Sequence, residues 1–219
     1  MKKIFILFLA LAASGFFISA IDTIDSFKDK GVKKSIEFKE GDLIFQSSMS
    51  GQSQAIQLAT GSKYSHVGIL FKENNEMMVY EAVQPVCATP IAQWIDRGDN
   101  DHFVVKRLVG ADSILNRETI GQMKSYARNN LGKNYDIYFE WSDERIYCSE
   151  LVWKIFKDAT DLEIGKLQRL EEFDFSHPLV KETAEERYGS EIPKDEMAIS
   201  PREMFNCDLL ELVISANDF

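Results

Sequence analysis

YSHVGILF (64–71) and EMMVYEAV (76–83) are two strand-forming stretches joined only by KENN, a short polar link whose composition makes the pair a hairpin. The rest of the chain must fit around that hairpin. GDLIFQSS, through Leu43, Ile44 and Phe45, reads as a strand before it; HFVVKRL and the final CDLLELVIS read as strands after it. SGQSQAIQLATGS has helical spacing with Gly61 as its stop, and TPIAQWIDRG is a short helix entered through Pro90 and closed by Gly98. NRETIGQMKSYARNNLG sets Ile120, Met123, Tyr126, Ala127 and Leu131 at three- and four-residue intervals, with Asn116 as cap and Gly132 past the end. SELVWKIFKDA repeats the pattern through Leu151, Val152, Ile155 and Phe156. Strands and helices mix without βαβ alternation, so the expected class is α+β, an antiparallel sheet packed against helices. A charged, weakly patterned insertion from Thr160 to Ser200 carries a helix around PLVKETAEERYG.

At 219 residues and 45% hydrophobic, the chain can bury one sizeable core, and a single domain over 21–219 is expected. Residues 1–20, MKKIFILFLALAASGFFISA, have two lysines, an apolar run and small residues at the end, the pattern of a cleavable signal peptide. A retained anchor is the alternative, the apolar run lying near the lower length limit for a span. The expectation is a secreted, periplasmic protein. No cysteine near the cut offers a site for lipid attachment. The net charge is −10, and cleavage would remove Lys2 and Lys3 and leave the chain more acidic still. No basic cluster offers a nucleic-acid footprint, and adhesion to anionic lipid is disfavoured.

Export usually favours paired cysteines, yet there are three: Cys87, Cys148 and Cys207. An odd count leaves at least one thiol free; whether Cys87 and Cys207 pair stays open. No C-x-x-C occurs and the three histidines are scattered, so a zinc site is not expected. Cys148, in DERIYCSELVWKIF, sits at the start of a helix, where unpaired backbone N–H groups favour an anion. In the hairpin, His66 is on one strand and Glu81 on the next, a carboxylate flanked on its own face by Val79 and Val83 and therefore wanting a partner. A cysteine hydrolase needs a thiolate, an imidazole to move protons and a third group to fix the ring; Cys148, His66 and Glu81 supply them. The N–H of Cys148 is the natural first oxyanion donor. Tyr64, two residues before His66 and on its face by alternation, is the guess for an oxyanion or substrate contact. Each residue alone also reads as structural: a core thiol, a strand histidine, a surface carboxylate. His102 and His177 read as solvent-facing.

GDLIFQ, AIQLATGSKYSHVGIL, VYEAV, TPIAQWIDRG, VVKRL and YFEWSDERIYCSELVWKIF, in that order, resemble the YiiX-like group of permuted papain-like cysteine hydrolases, relatives of the NlpC-type cell-wall amidases. The resemblance spans Gly41 to Phe156. It implies a papain-like core in which His66, the base, precedes Cys148, the nucleophile, with Glu81 orienting the ring. The resulting expectation is a thiol hydrolase that cleaves an amide bond through an acyl-thioester on Cys148, with no metal or organic cofactor. Its partners would be small peptide- or acyl-containing substrates, a cell-wall stem peptide or a lipid, with no nucleic acid and no obligate protein partner. The alternatives are a lipid acyl hydrolase or acyltransferase using the same site, and a catalytically silent binding module. Tyr135, Tyr138, Phe139 and Trp141 read as core or as groove lining, and Asp143 and Glu144 as solvated or as a grip on a substrate amine.

Overall fold

The computed structural model describes residues 37–48 and 50–215; the segment read as a signal peptide lies outside the described residues. Among the described residues eight strands are formed: β1 Leu43–Gln46, β2 His66–Glu73, β3 Glu76–Glu81, β4 Cys87–Pro90, β5 Phe103–Leu108, β6 Gln168–Arg169, β7 Met197–Ala198 and β8 Leu210–Ser215. The helices are α1 Gly51–Thr60, α2 Ile91–Asp96, α3 Ala111–Ile114, α4 Arg117–Asn129, α5 Cys148–Thr160, α6 Pro178–Tyr188 and α7 Pro201–Phe205. Six strands form one sheet in the order β4-β3-β2-β1-β5-β8, every neighbouring pair antiparallel; β6 and β7 pair separately.

The sheet is covered on both faces. In β1, Leu43 and Phe45 point into the main core with Met123 of α4 and Leu151, Val152 and Ile155 of α5, while Ile44 points the other way, among Trp94, Val105 and Ile214. This explains why LIFQ is an unbroken apolar run and why every residue of it is buried. The hairpin turns at Asn74 and Asn75, with φ of +49° and +70°, the left-handed pair that matches strand twist. Asn116 caps α4 by accepting the N–H groups of Glu118 and Thr119 at 2.9 and 3.1 Å.

Two features were not expected from sequence. Cys87–Pro90 joins the sheet as its outer strand, where a proline is tolerated because no further strand needs its missing N–H. The insertion is more than a helix: α6 packs on α1, β6 pairs with β7, and Ile199, just after β7, accepts the Ser149 hydroxyl of α5. Cys87 and Cys207, whose pairing was open, are both free thiols.

Candidate active site

Cys148 is the first residue of α5 and 2% exposed. The backbone N–H groups of Ser149, in the helix's first turn, and of Val67, in β2, both act on its sulfur. Val67 is available because the β2–β3 register ends at Ile69–Tyr80. Amides alternate in direction along a strand, and the next one turned toward β3 has no partner there. Burial pushes the thiol up, but hydrogen bonding and charge interaction with His66, and then the two amides, outweigh it and hold Cys148 below its ordinary value.

His66 opens β2. Its Nε2 lies 2.7 Å from Oε2 of Glu81, leaving Nδ1 for the sulfur. Burial disfavours the charged ring, yet the interactions with Cys148 and Glu81 lift it to about 10. Glu81 is fully buried and has four side-chain partners: His66, the Thr89 hydroxyl at 2.6 Å, the Trp94 indole N–H at 3.0 Å and the Arg97 guanidinium. Burial alone would raise its pKa; His66, Thr89 and Arg97 bring it down to about 2. Trp94 also stacks on the imidazole, centroids 5.9 Å apart.

His66 and Glu81 are not directly opposed. The register puts Gly68 across from Glu81, two residues past His66. A Cβ on Gly68 would overlap the Val79 side chain and lie 3.6 Å from the Glu81 Cβ. The bare glycine lets the carboxylate lean diagonally to His66.

A residue that sequence reasoning treated only as core or groove lining completes the group. Tyr135, which burial keeps protonated, interacts with Cys148, and its hydroxyl oxygen accepts Gln52 Nε2 at 3.0 Å. Tyr135 reaches the site from a loop paired to Ile146, just before α5, a placement that carries no periodicity in the sequence. Tyr64, the hydroxyl expected near the site, is instead in the core: its ring stacks on Phe205 at 4.2 Å and meets the edge of Phe45. The strand begins only at His66, so alternation does not extend to Tyr64. Asp143 is exposed to solvent and pairs with Lys154 at 2.9 Å. His102 is half-buried beside Tyr64, and His177 caps α6 through Nδ1 at 3.2 Å.

Two cavities flank Cys148 and His66. One is a narrow slot of about 90 Å³ touching Cys148, walled by Ile56, Phe139, Leu170, Val180 and Ala184. The other is an open cleft of about 610 Å³ touching His66 and Tyr135, with Ser48, Gln84, Arg97, Asn134 and Arg145 around it. Ile56 borders both.

The sequence profile described as "Permuted papain-like amidase enzyme, YaeF/YiiX, C92 family" matches residues 37–214. The YiiX protein of Escherichia coli (strain K12) is 46% identical over 173 residues, 79% of this chain and 84% of that protein. A solved structure described as "metalloprotein yiiX from Escherichia coli O157:H7" is also 46% identical, with a TM-score of 0.77, over 81% of this chain and 97% of that one. Among the described residues here, no three His, Cys, Asp or Glu side chains converge as metal ligands, and Glu81 is taken up by its own partners. The α+β architecture, the histidine placed ahead of the cysteine, and the profile and identity matches agree: the chain belongs to the YaeF/YiiX C92 family of permuted papain-like amidases.

Proposed function

We propose that this cysteine hydrolase cleaves an amide bond through an acyl-thioester on Cys148, with His66 as general base and acid and Glu81 holding the ring, and that it acts after export. The observation that carries the reading is the buried thiol that meets a helix-start amide and an imidazole whose far nitrogen is 2.7 Å from a carboxylate. The thiolate attacks the carbonyl carbon, forming C–S while the π pair moves to oxygen. The Cys148 N–H at the helix start and the Tyr135 hydroxyl, its own oxygen already receiving Gln52, can donate to that oxyanion. Collapse breaks C–N, and His66 gives its proton to the departing amine. Water then loses a proton to His66, attacks the thioester and releases the acid, restoring the ion pair. Recovery of the protein in the exported fraction, with an intact mass lacking residues 1–20, would support the cellular setting, and retention of the full-length chain inside the cell would overturn it.

The second reading, cleavage of a lipid acyl ester, uses the same steps with an alkoxide as leaving group. The apolar slot against Cys148 supports it. Intact-mass measurement after exposure to stem peptides and to lipid extracts separates the two: an adduct on Cys148 from peptides or other amides supports the amide reading, and one from lipid esters alone overturns it. Loss of the adduct in Cys148→Ala assigns the atom.

A further inference from the structure

Resting on the reading of Cys148 and His66 as nucleophile and acid, we infer that the substrate is an N-acylated anionic amine, with an unbranched apolar acyl chain in the slot and a carboxylate-bearing amine in the cleft. The assignment of sides follows from the chemistry. The acyl group ends up on sulfur, and the sulfur borders the slot. The leaving amine must take its proton from His66, and His66 borders the cleft.

The two chambers differ in character. Around the slot, Ile56, Phe139, Leu170, Val180, Ala184 and Ile199 present hydrocarbon, and Arg187, the charged residue on its wall, lies with its guanidinium over the Phe139 ring at 5.2 Å. At about 90 Å³ it is well below the size of a site for a whole drug-sized ligand, so it suits one thin chain rather than a branched peptide. The cleft is several times larger and lined by polar groups. In a chain of net charge −10, the charged side chains bordering it are Arg97, Arg145, His66 and the fully buried Glu81. Arg97 and Arg145 are 46% and 37% exposed, and each gives one terminal nitrogen to a carboxylate, Arg97 to Glu81 and Arg145 to Glu140. A guanidinium has five N–H donors, so both retain donors for a carboxylate on the amine. Arg145 Nε is buried and faces Asp136 Oδ1 at 3.6 Å, so the donors left for a substrate are on its terminal nitrogens.

The test compares N-decanoyl-L-glutamate, N-acetyl-L-glutamate and N-decanoyl-L-lysinamide as substrates of the mature protein, with p-nitrophenyl acetate as an independent reporter of Cys148 acylation. The decanoyl glutamate should show a kcat/KM roughly 10–100-fold above each of the other two: a slot of about 90 Å³ takes only the first few methylenes, each worth about fourfold, and a guanidinium–carboxylate pair contributes a similar factor against the lysinamide. Ala184→Phe, which fills the slot, should pull the chain-length ratio toward one; Arg145→Gln should pull the glutamate-to-lysinamide ratio toward one. The wild-type ratios stand whether or not either variant folds. If p-nitrophenyl acetate acylates Cys148 while the three amides are cut equally, or the short or cationic one is preferred, the inference falls and the hydrolase reading survives. If Cys148 is not acylated by any of them, both fall.

Discussion

The hydroxyl of Tyr147 accepts the backbone N–H of Ile199 at 3.0 Å. On the other side of Cys148, Ser149 donates its hydroxyl to the Ile199 carbonyl at 2.7 Å. Both neighbours of Cys148 are therefore fastened to one residue at the end of the insertion, and the same segment walls the slot. The Thr160 to Ser200 region thus fixes where the sulfur sits.

Tyr147→Phe should leave the Ile199 N–H buried without a partner and destabilise the protein by about 1–3 kcal/mol. Denaturant unfolding reads the loss as a lower midpoint at unchanged slope. A variant as stable as the parent would show that water satisfies the freed amide.

The acid–base couple sets a pH signature. With Cys148 lowered and His66 lifted to about 10, thiolate and imidazolium coexist through the neutral range. That pair is lost as pH falls through the thiol's pKa, and again as pH rises through that of His66. Iodoacetamide should therefore alkylate Cys148 at pH ~7 about tenfold faster or more than an ordinary thiol, which is only a few per cent ionised there. His66→Ala should slow the reaction and move its midpoint upward. Peptide mapping is needed, because Cys87 and Cys207 are also free. Equal rates at all three cysteines would count against the ion pair.

Glu81→Gln should lower amide turnover by roughly 10–10³-fold while the protein still binds substrate, because the imidazolium loses its countercharge and the ring its fixed orientation. The alkaline limb of the pH profile should move below its parent position, the direction a lost carboxylate dictates. Trp94→Phe keeps a ring against His66 but removes the N–H held by Oε2, and a several-fold loss is expected. A Glu81→Gln enzyme with an unshifted profile would show that the carboxylate does not set the histidine's charge.

Glu150 behaves in the opposite sense. It is fully buried in the first turn of α5, accepts the Tyr147 N–H at 3.2 Å and pairs with Lys154 at 2.8 Å, yet burial raises its pKa to about 7. An acid whose folded pKa exceeds its unfolded value binds more protons when folded, so stability declines as pH rises from about 4.5 to about 7. Glu150→Gln should flatten that decline and compare better with the parent at pH ~8 than at pH ~5, by roughly 1–3 kcal/mol over the window. Unfolding free energies at the two pH values check it; parallel curves for parent and variant would reject it.

Much of this arrangement can be read from the residues. KENN turns as its composition requires, Asn116 caps α4, and Cys148 begins α5 as the pattern of SELVWKIF demands. Hairpin logic brought His66 and Glu81 to neighbouring strands. What it could not give was their diagonal offset, which depends on register and on the absent side chain of Gly68. Nor could it give the crowd around Glu81: Thr89 lies in a four-residue edge strand containing a proline, and Trp94 and Arg97 lie in and just after a six-residue helix. Neither segment is long enough for periodicity to fix its direction. Tyr135 lines the cleft as its reading allowed, but its approach to Cys148 and the burial of Tyr64 were not legible for a related reason: both lie outside regular elements, where side-chain direction is set by tertiary contacts.

The unmatched amide of Val67 has a wider consequence. One more rung between β2 and β3 would bond that N–H to Ala82 and tighten the hairpin, while withdrawing a fixed dipole from the sulfur. Sheet growth and stabilisation of the Cys148 thiolate compete for a single N–H at this corner, so a change that favoured the longer ladder would trade thiolate character for rigidity.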